Sequence, residues 1–257
     1  MKKLGLIGFP VSHSFSKDYF THKFSKETEN DFSYDLFPLE NLDQLMPLIH
    51  TEKELIGLNV TIPYKVSILP YLDELDETAK IVGAVNCILI NRENSHTTLK
   101  GYNTDVFGFR QSIKPFLESQ HERALILGTG GAAKAVRYVL EGIGVPCWMV
   151  SRDRTRFKEE KIFSYSELND TILNQFKLIV NASPVGTFPN SLEYPSIPYS
   201  GIGVGHLVYD LVYNPDETIF LKKAKENGAV SINGLSMLYH QADEAFRIWK
   251  NFSGFNL

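Results

Sequence analysis

With 257 residues, 43% of them hydrophobic and 22% charged, the chain has an ordinary globular composition and the length for one large or two ordinary domains. A net charge of −4 offers no basic field for nucleic acid or an anionic membrane, and no stretch approaches the ~20 apolar residues of a membrane span. Cys87 and Cys147 sit in apolar contexts without disulfide or metal-ligand spacing, so the expectation is a cytoplasmic protein with reduced thiols, no metal, and neither nucleic acid nor membrane as partner.

The opening MKKLGLIGFP is broken by Gly5, Gly8 and Pro10 and is too short for the apolar region of a signal peptide. Residues 4–10 read instead as a first strand. Residues 16–28 read as an amphipathic helix, Ser33 to Leu36 as a strand and 41–50 as a short helix. LIGLNVTI, 55–62, reads as the third strand, with Val60 and Ile62 alternating with Asn59 and Thr61 until Pro63 breaks the ladder. Lys65 follows, where a solvated lysine after a turn is the ordinary reading. Residues 67–90 run through a helix into another strand. Strands alternating with helices imply an α/β domain with a largely parallel sheet. Residues 105–119 read as a connecting helix.

A second α/β pattern begins near residue 123. RALILG is an apolar strand ending in glycine, and GTGGAAKAVRYVLEGIGV is a glycine turn entering a helix. Strands follow at PCWMVSRD, LIVNAS and HLVYDLVYN, and MLYHQADEAFRIW has helical spacing. PNSLEYPSIPYSG, rich in Pro, Ser and Tyr, reads as a surface loop.

Gly128, Gly130 and Ala133 occupy the positions of G-x-G-x-x-A between a buried strand and a helix, the context in which that motif binds a dinucleotide. Gly128 suits the tight turn, Gly130 the approach of a pyrophosphate, and Ala133 close helix–strand packing. Gly131 and Ala132 open the helix, whose first N–H groups and dipole favour phosphate. About 20 residues on, NAD proteins carry an acidic residue for the ribose. Here the strand ends Ser151-Arg152-Asp153-Arg154-Thr155-Arg156. Arg152 and Arg156 suit a 2′-phosphate, because guanidinium pairs bidentately with phosphate oxygens, and favour NADP. Asp153 either pairs with a neighbouring arginine or meets ribose hydroxyls. Arg154 also reads as part of a solvated charge cluster. A two-domain oxidoreductase with the glycine-rich domain second is the reading so far.

Further segments resemble one family. Gly8-Phe9-Pro10-Val11-Ser12-His13-Ser14-Phe15-Ser16 resembles the G-x-P-x-x-H-S-x-S opening of shikimate dehydrogenases, and GLNVTIPYK, Gly57 to Lys65, their G-x-N-V-T-x-P-x-K. Gly83-Ala84-Val85-Asn86 and Gly101-Tyr102-Asn103-Thr104-Asp105 are similar to their G-A-x-N and G-x-N-T-D. The glycine loop, the segments from Asn181, from Asp210 and from Asn233 to Gln241 complete the set, in the family's order. The resemblance implies reversible NADP-dependent reduction of 3-dehydroshikimate to shikimate, in aromatic amino-acid biosynthesis, by a monomer or homodimer. It implies an N-terminal α/β substrate domain, 1–104 plus 238–257, and a Rossmann-type NADP-binding domain, 105–237. The C-terminal helix would return to the first domain, and the active site would lie in the cleft between the two.

Shikimate, a carboxylate with three hydroxyls, needs donors for the one and donor–acceptors for the others. Ser14, Ser16 and Tyr213 would supply donors, with helix capping as the structural alternative for the serines. Reduction of the ketone needs a proton for the developing alkoxide. Lys65 and Asp105 match the family's pair; which of them donates the proton does not follow from sequence, and the family's pattern gives Lys65 the acid/base role and Asp105 the orienting one. Asn59, Thr61, Asn86 and Gln241 would complete the hydroxyl contacts, with backbone capping as the alternative for the two asparagines. Asn181, Ser183 and Gly234 join the cofactor set. His13 reads as fixing its turn by hydrogen bonds, and His240 as structural or surface.

The chain departs from the family where many members have N-R-T and it has Ser151-Arg152-Asp153, and where Thr187 replaces the methionine of N-A-T-x-x-G-M. These departures keep two rivals in view: a quinate/shikimate dehydrogenase using NAD, and a silent nucleotide- or shikimate-binding regulator. The intact Lys65 and Asp105 argue against the second.

Overall fold

The strand–helix alternation is built into two sheets in the structure, a computed structural model that describes residues 1–12, 14–26, 31–93, 96–157 and 161–252. The chain divides into two units: Met1–Thr104 with the chain from Ala242 onward, and Asp105–Gln241.

The first unit contains β1 (Lys2–Gly8), α1 (Ser16–Lys26), β2 (Phe32–Pro38), α2 (Leu45–Thr51), β3 (Leu55–Val60), β4 (Glu74–Leu75), α3 (Glu77–Val82), β5 (Cys87–Glu93) and β6 (His96–Tyr102). Its sheet runs β2-β1-β3-β5-β6-β4. β1 pairs in parallel with β2 and β3, whereas β5 pairs antiparallel with β3 and β6. Three of the sheet's five pairings are parallel, as expected, and the two made by β5 are antiparallel. The connection from Glu93 to His96 is a hairpin, too short for the helical crossover that parallel neighbours require.

Side chains alternate across this sheet. Ile88 and Ile90 join a core with Leu45, Ile49 and Leu58, while Cys87 and Leu89 face the opposite core with Phe20, Tyr34, Phe246 and Trp249. Coverage on both faces leaves β1, β3 and the start of β5 buried almost without interruption. Local signals set the ends of α3: the Asp76 carboxylate accepts the Thr78 and Ala79 N–H groups, and Gly83 closes the helix at φ 65°.

The second unit opens with α4 (Asp105–Ile113) and continues through β7 (Ala124–Leu127), α5 (Gly131–Gly142), β8 (Cys147–Ser151), β9 (Ile162–Ser164), α6 (Asp170–Gln175), β10 (Leu178–Asn181), β11 (Leu207–Asp210), α7 (Ile219–Glu226) and β12 (Val230–Ile232). Its sheet is parallel throughout, in the order β12-β11-β10-β7-β8-β9. With β7 as first strand this is the 3-2-1-4-5-6 arrangement of a doubly wound dinucleotide-binding sheet, so the expected α/β class and Rossmann-type domain are found. β9, α6, α7 and β12 are short elements that emerge only in the structure. The proline-rich tract is not wholly a surface loop: Ile197 is buried in the second core, although Leu192 is exposed.

The last helix, α8 (Leu235–Phe252), runs through both units, and its Ala242, Ala245, Phe246 and Trp249 belong to a core of the first. No helix among the described residues is long and apolar enough to cross a membrane.

Candidate active site

The chain order reverses between β7 and β10, where a doubly wound sheet opens a crevice at the carboxyl ends of its strands. Gly128 follows β7 with φ +117°, a backbone region that disfavours side chains, and a Cβ there would come within 3.2 Å of the Ala182 carbonyl beyond β10. A Cβ on Gly130 would project into open space. Gly130 also caps α5 and, having no side chain, places no cap bond of its own on the helix start. The first-turn N–H groups at Gly131 and Ala132 are thus presented beside a surface kept bare of side chains, which suits a dinucleotide pyrophosphate. Ala133 is fully buried, as close helix–sheet packing demands.

At the end of β8, Ser151 is buried and accepts the Asp153 N–H at 3.1 Å, while Arg152 and Arg156 are exposed. The Asp153 carboxylate accepts from the N–H and hydroxyl of Thr155 and lies 3.2 Å from Arg156 Nε. The Thr155 hydroxyl is the main cause holding its carboxyl below the usual range. The pairing of Asp153 with a neighbouring arginine is thus present. Arg154 lies 4.0 Å from Glu167.

Asn181 and Ser183 organise the loop after β10. Asn181 Nδ2 donates to Asp210 Oδ1 at 2.9 Å and to the Val185 carbonyl at 3.3 Å, and its Oδ1 accepts the Ser183 hydroxyl at 2.6 Å. Asp210, fully buried at the end of β11, also accepts from the Val212 N–H and the Thr218 hydroxyl. Burial pushes its carboxyl up to about 7 against the pull of those donors. Asp210 thereby ties both loops at this edge, including the segment that carries Tyr213. Gly234 packs beneath them: a Cβ there would lie 2.1 Å from the Leu211 carbonyl, and its N–H donates to Val212 O.

The first unit gathers another polar set. Ser14 Oγ accepts the Ser16 N–H at 3.3 Å, so Ser14 rather than Ser16 stands before α1. Asn59 and Asn86 are buried, at 5% and 2% exposure. Asn59 Nδ2 donates to the Asn86 carbonyl at 3.2 Å, and Asn86 exchanges hydrogen bonds with Thr104 through Nδ2 to Oγ1 and N–H to Oδ1. β3 ends at Val60, short of Thr61 and Ile62. The Thr61 N–H donates to the Ile7 carbonyl, and the Tyr64 N–H donates back to Thr61 O. Tyr64 is buried with its hydroxyl on the Leu39 carbonyl, and the Val85 N–H holds Lys65 O at 2.7 Å. The backbone that carries the partly buried Lys65 is therefore fixed on both sides. His13 lies outside the described residues.

Asp105 begins α4 in the second unit, directly after the pinned Thr104, and is buried. Three residues on, Gly108 shares its helix face. A Cβ on Gly108 would meet the Met237 carbonyl at 2.7 Å and Gln241 Cβ at 2.9 Å, so α4 and the start of α8 touch at the level of Gln241. Gln241 Nε2 donates to the Leu238 carbonyl. Gly108 and Tyr34 lie outside the sequence motifs, and Asp210, which opens one, carried no role of its own there. A glycine inside a helical pattern was the available signal for the first; nothing local marked the others. Among the described residues, no group of three or more His, Cys, Asp or Glu is placed to hold a metal ion.

Residues 6–88 match the family model of the shikimate dehydrogenase substrate binding domain. A shikimate dehydrogenase (NADP(+)) of Carboxydothermus hydrogenoformans is 38% identical over 98% of this chain and 92% of its own length. Among solved structures, shikimate dehydrogenase 1 of Peptoclostridium difficile superposes with a TM-score of 0.84 at 35% identity, covering 98% of this chain and 92% of that one. The Thermus thermophilus shikimate 5-dehydrogenase, solved in complex with NADP(H) and shikimate, gives a TM-score of 0.84 at 29% identity over 98% and 94% of the two chains.

Proposed function

The chain belongs to the shikimate dehydrogenase family, and on that footing we propose that it catalyses the reversible, NADP-dependent reduction of 3-dehydroshikimate to shikimate, an oxidoreductase step of aromatic amino-acid biosynthesis. The observation that carries the reading is the switch point of the parallel sheet, where Gly128 turns at positive φ before a helix start capped by a glycine. That is the arrangement a dinucleotide requires.

Residues 105–237 hold the cofactor, and residues 1–104 with 238–257 hold the substrate. When bound, the reduced nicotinamide supplies the hydride. Gly128, Gly130, Gly131, Ala132 and Ala133 receive the pyrophosphate, and Ser151, Arg152 and Arg156 the ribose phosphate. Asn181, Ser183 and Gly234 shape the nicotinamide end. Lys65 stabilises the oxygen that becomes an alkoxide and gives it a proton, and Asp105 orients the Lys65 ammonium. Ser14, Ser16 and Tyr213 bind the carboxylate, and Asn59, Thr61, Asn86 and Gln241 the hydroxyls. The protein works in the cytoplasm as a monomer or homodimer without nucleic acid, in keeping with its net charge of −4.

Initial rates of the purified protein, followed through absorbance of the reduced cofactor, test the reading with shikimate and quinate each against NADP and NAD. Highest kcat/KM for shikimate with NADP is expected. Preference for quinate or NAD overturns the assignment within the class, and a folded protein that turns over none of the four pairs overturns the enzyme.

A further inference from the structure

Tyr34 belongs to none of the motifs, yet it sits at the centre of the first unit's polar set. It is 4% exposed on β2, with its ring stacked on Phe20 at a centroid distance of 4.4 Å. Its hydroxyl donates to Asn59 Oδ1 at 2.7 Å. From Asn59 the chain continues to the Asn86 carbonyl, and from the Asn86 carboxamide to Thr104, the residue before Asp105.

The direction of this chain follows from one backbone group. A carboxamide can be turned end for end with little change in shape, exchanging donor and acceptor. The Asn86 carbonyl only accepts, so it must face Asn59 Nδ2. Asn59 Oδ1 then faces Tyr34, and the phenol must donate. Every group from Tyr34 to Asn86 thus has an assigned role, and Tyr34 ties β2 to the end of β3.

We propose that Tyr34 is a positioning residue for substrate recognition, holding the Asn59 carboxamide in the orientation that a small polyhydroxy carboxylate requires. This rests on the reading of Asn59 as a substrate contact. Tyr34 acts through it, and no contact of its own with the substrate is invoked. Without its hydroxyl, Asn59 Oδ1 is buried without that donor, and the carboxamide can turn over. Such a change weakens ground state and transition state alike, so it raises KM and spares kcat.

Tyr34→Phe keeps the ring stacked on Phe20 and removes only the hydroxyl. Steady-state kinetics should show KM for shikimate raised by about tenfold, kcat within about threefold of wild type, and KM for NADP unchanged. In an Asn59→Ala background the same substitution should add little, because Tyr34 then has less left to orient. An unchanged shikimate KM, with only a lowered unfolding midpoint, overturns the proposal and leaves Tyr34 a packing residue. Wild-type protein that does not turn over shikimate overturns the functional reading as well, and the parallel wild-type assay separates the two failures. Should Tyr34→Phe not fold, the Asn59 side-chain amide of 15N-labelled wild-type protein provides the measurement. A distinct resonance that moves on adding shikimate is expected, and one that ignores shikimate overturns the proposal.

Discussion

Replacing Gly57 with alanine adds one methyl group at a place where the structure has no room for it. An ideal Cβ on Gly57 would lie 2.2 Å from Trp249 Nε1, 2.5 Å from Cδ1 and 2.6 Å from Cε2. The strand cannot retreat, because Gly57 is paired with Leu4 on one side and Leu89 on the other. The indole must move by about an ångström to reach ordinary contact distance. Trp249 is fully buried, and its Nε1 donates to the Ile88 carbonyl at 2.9 Å, a bond that such a shift breaks. Overpacking a dense core costs about 1–3 kcal/mol. Leaving a buried hydrogen-bonding group without its partner costs about 1–3 kcal/mol more. The sum, about 2–6 kcal/mol, is a large part of the 5–15 kcal/mol typical of a folded domain. Urea unfolding followed by far-ultraviolet circular dichroism should show a markedly lower midpoint for Gly57→Ala. Gly142→Ala is the control, since a Cβ there meets nothing within 4 Å, and its midpoint should be unchanged or higher. If Gly57→Ala costs less than about 1 kcal/mol, the argument that close packing against Trp249 requires a glycine here is wrong.

Lys65→Ala should lower kcat at least about 100-fold with a smaller change in KM, and wild-type turnover would remove Lys65 from the chemistry. Asp153→Asn preserves an oxygen for the Thr155 N–H but removes the negative charge beside Arg156; the ratio of kcat/KM for NADP over NAD should rise roughly threefold to tenfold, less at high salt, and an unchanged ratio would refute the argument. The folded protein holds the Asp210 proton more tightly than an unfolded chain does, so this group favours folding below about pH 4 and that contribution is lost as pH rises through about 7. From 3.8 to about 7 the loss is on the order of 4 kcal/mol. Unfolding free energies of wild type and Asp210→Asn at pH 4.5 and 8 should therefore differ in pH dependence, with wild type losing ground at the higher pH; a constant difference would refute it.

The glycine turn was legible because its reasons are local. Gly128 needs positive φ, Gly130 needs a bare surface, and the helix that follows provides its own N–H groups, all within a few residues. The fully apolar strands of the second sheet were legible for the same reason: burial on both faces leaves a continuous apolar run. β6 escaped because exposed positions interrupt its buried ones, as in HTTLKGY. The antiparallel setting of β5 escaped because strand direction depends on the route of the connection, which the residues of one strand do not encode.

The candidate site divides along the same line. Ser14, Ser16, Asn59, Lys65, Asn86 and Asp105 stand in short motifs, so residue type and spacing alone put them forward. Tyr34 stands in none, and its importance comes from the hydroxyl it extends to Asn59 across the sheet. Gly57 and Gly108 read as ordinary glycines until Trp249 and Gln241, from the last helix, are seen against them. Asp210 reads as one more strand-end acid until Asn181, Val212 and Thr218 close around it. The sequence by itself determined the longer elements, the dinucleotide turn and the reactive residue types, because those depend on backbone propensity and on chemistry carried within a few neighbouring positions. Tertiary structure alone decided which side chains orient one another and where no side chain fits, because hydrogen bonds and close packing act between atoms brought together from distant parts of the chain.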